Sequence, residues 1–145
     1  ALELTDAELD LALLVLERAL LHCRGLYPGA EMTVVYVPSP LSCYELEGEE
    51  VSVRSYLGRT SLQPARRVQE RSREIRARVR ALASAAQLGF VDPTDVLRSL
   101  ARTTAIHGPG DWGHFNEKGY RCLSEEILAG VFATGRAPIE NGDTR

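Results

Sequence analysis

Met32-Thr33-Val34-Val35-Tyr36-Val37, closed by Pro38, is a continuous run of β-branched and aromatic residues. A strand with one wet face alternates apolar and polar side chains. This run does not alternate, so it reads as a central strand of a parallel sheet buried on both faces. Pro38 and Pro40 stop it, because proline has no N–H to give a ladder. The stretch from Ser39 to Thr60 is polar, rich in Glu and Gly, and too long for a plain connection. It is expected to be an excursion at the strand's C-terminal edge, with Val51-Ser52-Val53 as a short edge strand.

Upstream, Thr5 followed by Glu8 forms a capping box, and Leu4 with Leu9 stands in the positions of a hydrophobic staple. A helix is predicted from Asp6 to about Arg24, with Gly25 as a left-handed C-cap. Leu9, Ala12, Leu13, Leu16, Ala19 and Leu20 keep helical spacing, and Leu11, Leu14 and Val15 widen the stripe. Such a helix expects cover on more than one side.

Downstream, Val68, Ser72, Ile75, Val79, Leu82 and Ala86 alternate spacings of four and three. That pattern draws a narrow stripe along a helix predicted from Leu62 to Gln87. Its other faces carry seven arginines between Arg66 and Arg80, with Glu70 and Glu74 interleaved and no aromatics. Nucleic acid binding would want basic residues without paired acids and with stacking rings, so a solvated outer helix is the better reading.

Phe90-Val91 follows Gly89 as a short strand, and Asp92-Pro93-Thr94-Asp95 opens a helix to about Arg102. A glycine- and proline-rich link then delivers the chain to Asp111. Asn116 is a good N-cap for a last helix, whose expected buried stripe is Tyr120, Leu123, Ile127, Leu128 and Val131. The reading is one α/β domain over residues 1–135 and a frayed tail over 136–145.

The 145 residues match the length of one ordinary domain, and a net charge of −3 asks for no polyanionic partner. The richest apolar run, Leu9 to Leu21, is broken by Asp10, Glu17 and Arg18, so no membrane crossing is expected. Three cysteines, Cys23, Cys43 and Cys122, are an odd number without Cys-x-x-Cys spacing, which suggests neither a disulfide framework nor a zinc knuckle. The first residues hold no initiator Met and no signal-peptide pattern. They read as the start of a processed or shortened piece and leave the compartment unknown. Two confident strands make a marginal sheet, so self-association through exposed sheet edges or the apolar first helix is expected.

Chemistry concentrates at the end of the chain. Acyl transfer by a hydroxyl needs an imidazole base, with a carboxylate on the other ring nitrogen to fix its tautomer. Asp111 and His114, three apart with Trp112 and Gly113 between them, can meet that need within one turn. A zinc site from His107, Asp111 and His114 fits no common spacing, and no cofactor motif is present. Asp92 competes as the orienting acid, but its capping position explains it. Trp112 and Tyr44 are candidates to border a substrate cleft.

The string from Asp111 to Tyr120, Asp-Trp-Gly-His-Phe-Asn-Glu-Lys-Gly-Tyr, is similar to the last block of SGNH (GDSL-like) hydrolases. That block reads Asp-x-x-His, then Pro, Leu or Phe, then Asn-x-x-Gly, with a small residue five positions on, here Ser124. The order of an apolar strand ending in Pro, a long helix, a strand running into Asp and the His loop also resembles that family, over roughly residues 32–132. The resemblance implies the C-terminal portion of a flavodoxin-like, three-layer α/β/α domain with few parallel strands. It implies His114 as the base that deprotonates a serine, Asp111 as its orienter, and a small ester, such as an acylated carbohydrate or a lipid-like ester, as substrate.

The family's nucleophile sits in Gly-Asp-Ser near the domain's first strand, and these residues contain neither that string nor a Gly-x-Ser-x-Gly elbow. Ser39, Ser42, Ser61 and Ser99 lack the glycine turn. The piece alone is therefore expected to be inert or nearly so. The alternatives are a non-catalytic binding or assembly module of the same fold, and an O-acyltransferase relative that passes the acyl group to a sugar hydroxyl.

Overall fold

The computed structural model describes residues 4–54, 58 and 60–133. Over them the chain is mixed α/β and helix-rich, with one parallel two-strand sheet and one antiparallel pair. The order is α1 (Asp6–Leu26), β1 (Thr33–Val35), α2 (Pro40–Cys43), β2 (Glu50–Arg54), β3 (Thr60–Pro64), α3 (Ala65–Ala85), β4 (Gly89–Val91), α4 (Thr94–Ala101) and α5 (Glu117–Ala133). The expected tail over 136–145 lies outside the described residues.

β1 pairs in parallel with β4, Val34 opposite Phe90, and Tyr36 N–H extends the ladder to the Val91 carbonyl. Side chains of successive strand residues leave on opposite sides. Val35 accordingly joins Cys43, Leu97, Ile106, Phe115, Cys122 and Leu123, whereas Met32, Val34 and Phe90 join Ala83, Ala86 and Leu88. Both faces of the two strands are thus packed against helices, which is why the run has no polar alternation. The strand is shorter than Met32–Val37, because its pairing partner β4 offers only three residues.

The capping box is formed. Thr5 Oγ1 accepts from Glu8 N–H at 3.3 Å, while Glu8 Oε2 accepts from Thr5 N–H at 2.8 Å. Leu4 packs with Leu9 as the staple requires. Gly25 does not end the helix, which runs on to Leu26 with Tyr27 as its cap. Among the described residues of α1, Leu9 and Leu13 are buried and Leu11, Leu14 and Val15 lie exposed, so the described structure covers one side of this helix.

The excursion is a hairpin. Val51-Ser52-Val53 is strand, as expected, but its partner is Thr60–Pro64, so Leu62 to Pro64 are strand where the sequence pattern predicts the start of the helix. Pro64 accounts for the shift: it takes an extended φ/ψ of −56° and 126° as N-cap, and α3 starts after it. In α3 the predicted stripe is inside, with Val68, Ser72, Ile75 and Ala86 buried. Five of its seven arginines pair with acids: Arg66 with Glu70, Arg71 with Asp6 and Glu74, Arg78 with Asp10 and Glu74, Arg76 with Asp92 and Asp95, and Arg80 with Asp92.

In α5 the expected stripe is only partly inside. Leu123 is buried and Ile127 half-buried, but Tyr120, Leu128 and Val131 are exposed. Gly130 allows the close approach that sets this rotation, because a β-carbon there would collide with Val91.

Asp92 joins α3 to the end of β4. Its carboxylate, 7% exposed, accepts from Arg80 at 2.9 Å and from Thr94 N–H and Oγ1 at 3.2 and 2.6 Å, with Arg76 3.5 Å away. Those contacts give it a structural role and remove it as a rival to Asp111. Asp92→Ala removes Arg80's partner, leaves Arg76 with Asp95 alone and leaves a helix start uncapped. The expected loss is about 2 kcal/mol, read as a lower urea midpoint with unchanged slope.

Candidate functional site

The loop carrying Asp111 and His114 is fastened at both ends. His107 and Phe115 form an antiparallel bridge, and Asn116 N–H donates to the Ile106 carbonyl at 2.9 Å. Asn116 does more than cap α5. Its Oδ1 accepts from Lys118 and Gly119 N–H at 3.0 and 3.2 Å, and its Nδ2 donates to the Ala105 carbonyl at 2.9 Å. One side chain thereby fixes the helix start to the incoming arm of the loop.

Within the loop, His114 Nδ1 lies 2.5 Å from Asp111 Oδ2, and Gly113 N–H donates to Asp111 Oδ1 at 2.7 Å. Both carboxylate oxygens are therefore used, and the carboxylate plane is set by backbone. An ionised carboxylate only accepts, so the Nδ1 atom carries the proton and Nε2 keeps a free lone pair. The hydrogen bond from His114, then that from Gly113, holds the Asp111 carboxyl below the usual carboxylate range. The imidazole is 71% exposed and the carboxylate 61%, so the base is open to an incoming hydroxyl.

His107 plays a supporting part that the sequence did not disclose. It is buried, its ring stacks 4.5 Å from that of Phe115, and its Nδ1 lies 3.2 Å from the Tyr44 hydroxyl. That hydroxyl already accepts from Ile106 and His107 N–H at 3.0 and 3.1 Å. Both its lone pairs are spent, so its proton goes to His107 Nδ1, and a second proton on that ring would break the bond. Burial pushes the His107 pKa down. Stability from this clasp is complete above the unfolded imidazole value, about 6.5, and is lost as pH falls through the folded one. The melting temperature is expected to drop as pH falls below about 6.5, and His107→Phe, which cannot be protonated, flattens that stretch of the curve.

A cleft of about 820 Å³ borders the loop. Gly110, Asp111, Trp112 and Gly113 line it together with Tyr36, Val37, Ser39 and Ser42 beyond the C-terminal end of β1, Ser52 and Val53 of β2, and Ser72 and Ile75 of α3. Open α/β sheets place ligands at the carboxyl ends of their strands. Of the residues expected at a substrate cleft, Trp112 lines it. Tyr44 instead lines a separate cleft of about 800 Å³ with Arg73, Arg98 and Arg102.

No cysteine competes as nucleophile here. Burial pushes the Cys43 thiol up to about 12, against the smaller opposing pull of Arg98, and raises Cys122 as well. Among the described residues no three His, Cys, Asp or Glu side chains are grouped to hold a metal ion, and no helix is long and apolar enough to cross a membrane. No family model matches the chain, and no curated protein or solved structure matches it either.

Proposed function

We propose that these residues are the C-terminal part of a SGNH-type serine ester hydrolase, supplying the base and its orienting carboxylate within a flavodoxin-like three-layer domain. The observation that carries the reading is the Asp111–His114 hydrogen bond at the rim of a parallel strand pair, beside an open cleft. In the complete enzyme His114 Nε2 takes the proton of a serine hydroxyl as that oxygen attacks the ester carbonyl. The imidazolium so formed is stabilised by Asp111 and returns the proton to the departing alkoxide. Water then repeats the sequence on the acyl-serine. None of the serines here follows the glycine turn that exposes a nucleophile, so this reading requires a serine from outside these residues.

The test is to extend the chain upstream in its natural reading frame, measure turnover of p-nitrophenyl acetate, and replace His114 by Ala. A loss of roughly 10²- to 10⁴-fold is expected, and unchanged turnover sinks the reading. Absence of Gly-Asp-Ser favours a second reading, a non-catalytic module of the same fold. A natural frame with no such strand ahead of Ala1 would establish that one instead.

A further inference from the structure

We propose that the second cleft, separate from the one beside Asp111, is a binding site for a phosphate monoester of a small molecule, gripped by Arg73, Arg98 and Arg102. The proposal goes beyond the esterase reading and does not rest on it.

Two helices assemble this cleft by a spacing rule. Side chains four residues apart share one face of a helix. Gln69 and Arg73 of α3 therefore leave on the same side, and so do Arg98 of α4 and its C-cap Arg102. α2 packs against both helices, and the four side chains line a single cleft of about 800 Å³. Small-molecule sites fill roughly 300–1,000 Å³. An inorganic ion would leave most of that space empty, whereas an ester's organic body has room over Tyr44 and Ala101.

The three guanidinium groups are held in different ways. Arg98 is half-buried, and its Nε donates to the Ser42 carbonyl at 2.6 Å. That bond fixes the plane of the fork and leaves both Nη groups to other acceptors. Among the described residues, Arg73 stands outside the ion pairs that occupy five other arginines of α3. Arg102 Nη2 reaches Glu45 Oε1 at 2.5 Å, but the two side chains are 70% and 74% exposed. A pair so open to water is weak enough to be exchanged for a ligand.

The donor set selects the ligand. Guanidinium forks bind carboxylate and phosphate through paired N–H groups. A carboxylate offers two oxygens in one plane and is satisfied by one or two forks. A phosphate monoester offers three terminal oxygens in a tetrahedral array and a charge close to −2 near pH 7, which suits three forks arriving from two helices. Glu45 and Glu47 stand in the same lining. They tolerate a compact anion seated on the arginines but oppose nucleic acid, whose further phosphates would lie beside a carboxylate.

The 145-residue chain is titrated by calorimetry at low salt with phenyl phosphate and with benzoate, and the bound position is read from amide NMR shifts. Phenyl phosphate is expected to bind at a Kd of about 0.1–1 mM, moving the signals of Tyr44, Glu45 and Ala101, and benzoate roughly tenfold more weakly. Arg73→Gln weakens phenyl phosphate about tenfold; the side chain is exposed, so the variant keeps its fold. Glu45→Gln removes only an exposed pair, frees Arg102 and tightens binding roughly threefold. Arg67→Gln makes the same change of charge on α3 at a residue that lines another cleft, and leaves the Kd within about twofold.

Equal weakening by Arg67→Gln and Arg73→Gln would mean diffuse attraction to a basic helix and overturns the proposal. Benzoate binding as tightly as phenyl phosphate, no saturation by phenyl phosphate, or weaker binding in Glu45→Gln overturns it too. So does tighter binding of a single-stranded oligonucleotide, or of phosphatidylcholine vesicles containing phosphatidic acid, since the arginines would then serve nucleic acid or a membrane surface.

Discussion

Under the proposed esterase reading, Asp111→Asn in the upstream-extended chain is expected to lower kcat about 10³- to 10⁴-fold with little change in KM. Asparagine is nearly isosteric, so the loss comes from the direction of hydrogen bonds rather than from shape. An amide could in principle turn its oxygen toward His114 and preserve the tautomer. Gly113 forbids that, because its N–H donates to the inner oxygen at 2.7 Å and will hold the amide oxygen there. The amide NH₂ is left facing His114 Nδ1 and donates to it. The ring then carries its proton on Nε2, the atom that has to accept one from serine. The accompanying ¹⁵N spectrum of His114 should move from the Nδ1–H to the Nε2–H tautomer while the fold stays intact. Retained kcat, or an unchanged tautomer in the variant, would contradict the role given to the carboxylate.

Gly119→Ala is expected to carry the largest stability cost of any single methyl added to the chain near the site. A β-carbon there would lie 2.5 Å from the Ile106 carbonyl oxygen and 2.7 and 2.9 Å from Cδ1 and Cβ of Phe115. The Ile106 oxygen is backbone and is already held by Asn116 N–H, so it cannot step aside as a flexible side chain would. Either α5 moves off or the bridge between His107 and Phe115 opens. Overpacking of this kind costs about 1–3 kcal/mol, and alanine's better helix propensity returns up to about 1. A drop in Tm of roughly 5 °C follows for a chain of this size. Since the displaced atoms anchor the loop of Asp111 and His114, the proposed hydrolysis by the extended variant is expected to fall as well. Gly29→Ala is the control, with nothing within 4 Å of the added carbon, and should stay within about 0.5 kcal/mol of the parent. Equal stability of the two variants would show that α5 does not depend on that contact.

Much of the local structure was legible because its causes are local. Thr5 and Glu8 cap a helix by reaching three residues along the same chain, and Asp111 reaches His114 inside one turn. The stripe from Val68 to Ala86 is legible because helical period is a property of sequence. What failed depended on partners distant in the chain. Leu62 fits a helical pattern as well as a strand, and only pairing of Ser52 with it decides for the strand. The exposure of Tyr120 and Leu128 follows from the rotation of α5 that Gly130 and Val91 impose. Tyr44 lines a different cleft from Trp112, and its hydroxyl accepts from backbone N–H groups 62 and 63 residues away at the base of the loop, a meeting no local pattern records.

The sequence by itself determined the apolar strand run at Thr33–Val35, the capped start of α1 and the carboxylate–imidazole pair, since each is written in residues within a few positions of one another. Only the tertiary structure decided that Ser39, Ser52, Ser72 and Trp112 line one cleft with Asp111, and that His107 clamps the loop. Those residues meet because β1, the hairpin and α3 pack around the same strand end, and no periodicity in a single chain records which distant side chains a packing arrangement will bring together.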